Sequence, residues 1–478
     1  MESGAVNPET LISLTAVGSY LLLLAGIGLW SFRHSGRDPV SYFLADRGLQ
    51  GLVLTLTLLA TLLSAFTFIG IPADAYTHGL GIFLGVGVTD ALLGIVFATV
   101  GYRLWQLGRQ QGLITPSEFF AWRFQSPLLG WLYSLSALLF TAPYISIQII
   151  AGARTLSTLL GIPYLPLAVV LAVVILLYVL LGGSRAVVWT DVVQGVILVL
   201  GMVLACGALV GRIPEIPGEL RPWLSLPGPT GRWTWQGLIS YQLLIVMAVP
   251  LFPQIFQRFY MARGAEVFRT MAVAWPGLIV LVFFPATLIG VWGRVLFPDL
   301  QRAELVMPQV LQILPSGLGA VVMVAALAAL MSTADSQLLT TSSLVTQDWI
   351  RKWVSLAPEQ ERRLGQGVVV VIGVVSFAIA VNPPGLIVEM ATWSFQGSAM
   401  LFPLVIAGLY WPRVSRAGAV AGGFVSSALT LAWLSGLLPQ TWLGGWLPVI
   451  PATLIGTAIL IVVSLLTPPL VGQNLGQE

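Results

Sequence analysis

Charge is what this chain of 478 residues has least of: 9% of its residues are Asp, Glu, Lys or Arg, against about 25% in a soluble domain. A water-facing surface cannot be built from so few, so most of the surface must face lipid. Cysteine is nearly absent. Cys206 stands alone in an apolar run, which excludes a disulfide framework and a cysteine metal centre. The two histidines, His34 and His78, are too few for a histidine-based metal site, and there is no HExxH. Intramembrane hydrolysis would need a metal cluster or a nucleophile–base pair, so the chain is not expected to be an enzyme. The net charge of +3 reads as a topology signal and not as affinity for nucleic acid.

In place of charge the chain has hydrocarbon. Of its residues 57% are hydrophobic, and apolar runs recur from end to end, more than a signal peptide could account for. A helix needs roughly 20 apolar residues to cross a bilayer. Thirteen windows serve, at about 10–32, 51–78, 80–105, 127–158, 163–183, 186–211, 233–257, 270–296, 316–347, 365–382, 385–411, 416–437 and 444–467. The expected fold is an all-α polytopic membrane protein with about 13 transmembrane helices. Glu2 and Glu9 flank the start of the first window, and Arg33 and Arg37 follow it. That is the layout of an uncleaved anchor with its N-terminus outside. From that start Arg212, Arg221, Arg232, Arg294 and Arg302 fall outside and Arg154 within a span. The other 16 of the 22 Lys and Arg fall in cytoplasmic loops or at cytoplasmic helix ends. The positive-inside rule then predicts a cell inner-membrane protein with a cytoplasmic C-terminus. The longest outer connections lie at about 212–232 and 297–315. No soluble domain stands apart, no obligate protein partner is evident, and residues 1–478 read as one membrane domain.

Two windows are unusual. The second, GLVLTLTLLATLLSAFTFIGIPADAYTHG, carries Thr55, Thr57, Thr61, Ser64 and Thr67 and then Gly70 and Pro72; the seventh carries Pro250 and Pro253. They lie five windows apart. Interrupted helices so spaced are the pattern of a five-plus-five inverted repeat, in which unwound backbone at the midplane binds ions and substrate. Two kinked helices with only a packing role are the plainer alternative. The ninth window, AALAALMSTADSQLLTTSSLVTQDW, concentrates hydroxyls. Sodium is a hard cation that takes oxygen ligands, and adjacent hydroxyls with a carbonyl one turn earlier make part of a shell. Ser332, Thr333 and the carbonyl of Ala329 form such a set. Carbonyls of an unwound partner helix would complete it, since broken backbone inside a membrane is tolerated where it lines a site. The hydroxyls from Ser336 to Thr346 read instead as interhelical or back-bonded groups.

Four stretches resemble motifs of the sodium/solute symporter family, in the family's order: FIGIPADAYTHGLGI (68–82), GGSRAVVWTDVVQGVILVLG (182–201), QRFYMARG (257–264) and AALMSTADSQLLTTSSLVTQD (328–348). The resemblance runs from about residue 40 to 437. It implies a leucine-transporter-type fold, with an extra helix in 1–40, a ten-helix core over 45–411, and two further helices and a tail over 412–478. It implies a co-transported sodium ion between the first and eighth core helices, held by the carbonyls of Ala60, Leu63 and Ala329 and the hydroxyls of Ser332 and Thr333. Asp191, in the Thr190–Asp191 pair, would stand near that ion as a second-shell charge or a stop on its exit; pairing with an arginine at a helix end is the alternative. Leu62 stands where some members carry Asp, which removes one carboxylate aid to sodium binding. Phe66 stands where sugar transporters of the family carry a polar residue, which counts against a polyhydroxylated sugar.

The substrate is expected against the broken helices, near Ser64, Thr67, Tyr144, Gln148, Gln254 and Gln396, with Phe66, Phe252, Trp393 and Phe395 as walls or gates. Ordinary bundle packing is the alternative for each. Asp74, Asp90, Asp335 and Glu389 are the other acids expected to be buried, and Arg154 is expected to pair with an acid. Stretches 114–156 and 66–76 are similar to branches that carry monocarboxylates or pantothenate. The implied activity is sodium-coupled import of a small organic anion by alternating access, its carboxylate held by a helix N-terminus at a break. Proton coupling through Asp90 or Asp191, and an amino acid such as proline as substrate, are the alternatives. The expected partners are the solute, sodium and the lipid bilayer.

Overall fold

The structure, a computed structural model, describes residues 8–34, 43–212, 217–355 and 357–470. Ten helices among the described residues are long and apolar enough to cross a membrane. They are α1 (Pro8–His34), α3 (Phe83–Gln110), α4 (Pro127–Leu160), α6 (Gly183–Val210), α8 (Glu266–Leu296), α9 (Ser316–Ile350), α10 (Pro358–Val381), α11 (Ile387–Tyr410), α12 (Arg416–Leu434) and α13 (Val449–Leu466). Two bent pairs also qualify: α2 (Gly51–Leu62 with Phe66–His78, bent by 60°) and α7 (Trp235–Leu251 with Pro253–Tyr260, bent by 52°). The shorter apolar helix α5, Tyr164–Leu180, brings the thirteen expected windows to thirteen helices. No loop parts α5 from α6. The chain turns there at Gly183, whose φ of 62° and ψ of −179° are open to glycine alone.

Both breaks were expected, but in α2 the position differs. Gly70 and Pro72 lie inside the second half-helix, and the interruption comes earlier, at Leu63 and Ser64. Pro72 stands where the wide turn Phe66–Gly70 passes into the α-helix Ile71–His78, at that helix's first positions, where a missing N–H costs little. In α7 the break falls on Phe252, between the two prolines as expected.

A small residue lets α8 close on the second half of α2. A Cβ at Gly290 of α8 would stand 2.3 Å from the Pro72 carbonyl of α2, so only glycine permits this approach. The described part of the connection at 212–232 is tied to the bundle by hydrogen bonds. Leu80 N–H donates to the Trp223 carbonyl at 2.7 Å, Trp223 Nε1 donates to the Tyr76 carbonyl at 2.8 Å, and Trp233 is buried. Short helices at Pro116–Arg123 and Val306–Ile313 were not anticipated. Two arginines counted as cytoplasmic from the sequence are buried: Arg123, whose Nε donates to the Gly408 carbonyl at 2.6 Å, and Arg258.

Candidate functional site

The half-helix Gly51–Leu62 stops where Leu63 turns extended, at ψ 104°. A helix end leaves its last carbonyls without amide partners, and α9 meets them. Ser332 Oγ lies 2.8 Å from the Ala60 carbonyl and 3.3 Å from that of Ala329. Thr333 Oγ1 lies 3.0 Å from the Thr61 carbonyl and 3.5 Å from that of Leu63. The Ala65 amide, which would close the next turn onto Thr61, donates instead to Gln148 Oε1 at 2.9 Å. Of the five oxygens named from the sequence, the Ser332 hydroxyl thus lies beside the Ala60 and Ala329 carbonyls and the Thr333 hydroxyl beside that of Leu63, and the Thr61 carbonyl is an addition to them. Hard cations such as calcium take oxygens at about 2.3–2.6 Å, so the hydrogen-bonded oxygens here, 2.8–3.5 Å apart, would spread slightly to admit such an ion. The negative end of a helix dipole at the same point favours a cation further.

Below this cluster lies a buried ion pair. Asp191 Oδ2 accepts from Arg258 at 2.6 Å, from Thr57 Oγ1 at 2.5 Å and from Thr61 Oγ1 at 3.3 Å. Arg258 also donates to Thr57 Oγ1 at 3.1 Å, to the Gln254 carbonyl at 3.1 Å and to Ser336 Oγ at 2.6 Å. Ser336 Oγ in turn donates to Asp335 Oδ1 at 3.2 Å. The pair ties α2, α6, α7 and α9 together. Thr61 joins it to the carbonyl cluster, giving its side chain to Asp191 and its carbonyl to Thr333. The two sequence readings of Asp191, near the oxygen cluster or paired with an arginine, thus hold together. Arg258 was missed as a functional residue. It stands directly after the window 233–257 and was counted at a cytoplasmic helix end; its signal was its place on the same broken helix as Pro250 and Pro253, where a buried arginine needs an acid nearby. Ser336, read as a bystander, is part of the network.

Between the two breaks, aromatic side chains of four helices meet. Ring centroids stand 5.3 Å apart for Phe66–Phe395, 5.9 Å for Tyr144–Phe252, 5.5 Å for Tyr144–Phe395 and 5.0 Å for Phe252–Phe395. Polar groups edge the cluster. Ser64 Oγ and Tyr144 OH are 2.9 Å apart, the Phe66 amide donates to Ser64 Oγ at 3.2 Å, and Gln148 Nε2 donates to the Tyr144 carbonyl at 3.1 Å. Thr67 Oγ1 and Gln254 Oε1 are buried without a hydrogen-bond partner among the described residues, so each has bonding capacity to spare.

Two expected members lie elsewhere. Trp393 is 42% exposed, on the other face of α11 from Phe395, which is 3% exposed. Gln396 turns to α13, its Oε1 accepting from the Val449 amide at 3.1 Å. A helix apolar on most sides gives little sign of which face turns inward. The acids also divide. Asp74 pairs with Arg232 at 3.5 Å, and Arg154 pairs with Glu304 as expected. Asp90 is 2% exposed, with one carboxylate oxygen unpartnered among the described residues. Glu389, expected to be buried, is exposed and caps α11 by accepting from the Leu386 amide at 3.2 Å.

The chain is 30% identical over 440 residues to a sodium/pantothenate symporter of Escherichia coli K12, covering 88% of this chain and 89% of that protein. It is 27% identical over 484 residues to a sodium/proline symporter of Staphylococcus aureus (strain JH9), covering 94% and 92%. Among solved structures, a sodium-coupled sialic acid symporter in a substrate-bound outward-open state matches with a TM-score of 0.81 at 20% identity, over 96% of this chain and 99% of that one. A nucleobase-cation-symport-1 family transporter in a closed conformation gives 0.60 at 14% identity, over 89% and 95%. The fold is the leucine-transporter type. The model of the sodium:solute symporter family matches residues 42–215 and 233–426, across both broken helices and the hydroxyl-bearing turn of α9, and the chain belongs to that family.

Proposed function

We propose that this protein imports a small organic anion, pantothenate or a related monocarboxylate first, on an inward sodium gradient by alternating access. The observation that carries the reading is the convergence of the Ser332 and Thr333 hydroxyls on the carbonyls left free by the break in α2. Sodium, as cargo, would take the carbonyls of Ala60, Leu63 and Ala329 and the two hydroxyls, replacing the hydrogen bonds now made among them. The ion's ligands and the substrate's then lie on one stretch of backbone. Ala60 to Leu63 hold the ion; Ser64, Phe66 and Thr67 face the substrate with Tyr144, Gln148, Phe252 and Gln254. Ordering that stretch for one ligand orders it for the other, and such shared ordering is a coupling free energy. Asp191, one side chain away through Thr61, gives the departing ion a carboxylate on the cytoplasmic side.

A carboxylate suits the substrate end of the break. The amides of Ala65 and Phe66 open the second half of α2, where the helix dipole is positive. Gln148 and Ser64 now accept from them, and a substrate carboxylate would take their place. The 30% identical sodium/pantothenate symporter supports the pantothenate class over proline. The charge pattern supports an outside N-terminus and a cytoplasmic C-terminus in the inner membrane. Proton coupling is the second reading, and Asp90, buried with an unpartnered carboxylate oxygen, favours it. Equilibrium binding of labelled pantothenate to purified protein, with lactate and proline as competitors, tests the assignment in sodium and in potassium at several pH values. Binding that needs sodium and yields to pantothenate or lactate supports the reading. Binding indifferent to sodium but steep in pH moves the coupling to Asp90, and displacement by proline alone moves the substrate class.

A further inference from the structure

At the end of the bundle where α9 passes into α10, a groove of about 720 Å³ opens on the bundle surface. Its walls are apolar: Leu138 of α4, Val345 and Ile350 of α9, and Leu364, Gly367 and Val371 of α10. The α10 residues recur at three- and four-residue spacing, a stripe along one helix face. Arg363 stands among the lining residues. The adjoining segment, RKWVSLAPEQERR (351–363), is basic, with Arg351, Lys352, Arg362 and Arg363 against Glu359 and Glu361. One carboxylate serves two guanidiniums, Glu359 accepting from Arg362 at 2.7 Å and from Arg363 Nε at 3.0 Å. Arg363 keeps its terminal nitrogens without a hydrogen-bond partner among the described residues, and its side chain is 74% exposed. In the same segment Trp353 is 78% exposed and Val354 is also exposed. An exposed tryptophan beside lysine and arginine is the chemistry of a membrane–water interface.

We propose that this groove is a binding site for an anionic phospholipid, one acyl chain lying against α4, α9 and α10 and the phosphodiester meeting Arg363 and Lys352. Apolar walls alone would accept any lipid tail. Arg363, 74% exposed and sharing one carboxylate with Arg362, leaves net positive charge at the groove that selects a headgroup with net negative charge, and Trp353 sets the depth of the segment at the headgroup level. That the leaflet is the cytoplasmic one rests on the orientation proposed above; the site itself does not depend on what the protein carries. Gly367 offers a clean block, because a Cβ there meets nothing within 4 Å, and a leucine would project into the groove without moving backbone.

Delipidated protein would be titrated with dioleoyl phosphatidylglycerol, dioleoyl phosphatidylcholine and water-soluble glycerol phosphate, and bound ligand counted by native mass spectrometry. Phosphatidylglycerol is expected to bind about tenfold more tightly than phosphatidylcholine. Lys352→Gln with Arg363→Gln should erase that preference, and Gly367→Leu should weaken both lipids several-fold. Val371→Phe, on the same wall, repeats the block should Gly367→Leu fail to fold. Equal binding of the two lipids to the native protein overturns the proposal, as does lipid binding untouched by both groove-filling variants. Glycerol phosphate binding as tightly as the lipid overturns it in favour of a free-anion site.

Discussion

At the residue scale the proposed sodium site rests on two hydroxyls and one ion pair. Ser332 and Thr333 satisfy carbonyls that a broken helix cannot satisfy for itself. Replacing both with alanine should raise the sodium concentration for half-maximal uptake at least tenfold, about 1.4 kcal/mol of ion binding. A sodium titration of uptake checks this, and an unchanged sodium dependence would contradict it. Arg258→Gln acts differently, because it leaves Asp191 buried with its charge unpaired. Breaking a buried pair from one side costs about 3–5 kcal/mol. Thermal melting in detergent should fall markedly for Arg258→Gln and recover in part when Asp191→Asn is added. The hydroxyl pair was legible in the sequence because adjacency on a helix is local information, and the family motif named the same residues. The partner of Asp191 was not named, since Arg258 is 67 positions away on another helix and only the packing of four helices brings them together. Trp393 and Gln396 were misplaced for a related reason: hydropathy gives a span, and only tertiary contacts decide which of its faces turns inward.

At the scale of elements, the thirteen helices were legible because each needs a long apolar run, and both breaks showed in their prolines and hydroxyls. The exact break in α2 did not show. Proline marks where a helical stretch can begin, and here the chain unwinds eight residues before Pro72, at Ser64. One buried strut fixes the entry to α11. Glu304, 4% exposed, pairs with Arg154 of α4 and accepts from the Ile387 amide at 2.6 Å. Arg154→Ala should therefore lower the melting temperature by several degrees. Adding Glu304→Gln, which removes the charge but keeps the acceptor, should restore most of the loss; no recovery would mean that packing and not charge is at stake. At the α12–α13 contact, a Cβ on Gly422 would stand 2.6 Å from the Gly456 carbonyl. Gly422→Val must push the two helices apart, at about 1–3 kcal/mol. Its melting temperature should drop while its sodium dependence stays native, because neither helix supplies an oxygen to the cluster on α2 and α9.

For the whole molecule, low charge and repeated apolar runs determine the class of protein, and two broken helices five apart mark where the ion and the solute are proposed to bind. In the proposed reading the α2 share of the ion's oxygens, Ala60 and Leu63, and the α2 share of the solute's contacts, Ser64, Phe66 and Thr67, sit within eight residues of one another, so the two cargoes share one conformational change. That is the central claim, and accumulation against a gradient tests it most directly. Purified protein in liposomes, loaded with labelled pantothenate outside, would be given an inward sodium gradient or an equal potassium or proton gradient. Transient accumulation above the external concentration is expected under the sodium gradient alone, abolished by Ser332→Ala with Thr333→Ala at the same sodium concentration. Accumulation of equal size without sodium, or in the double variant, would contradict it.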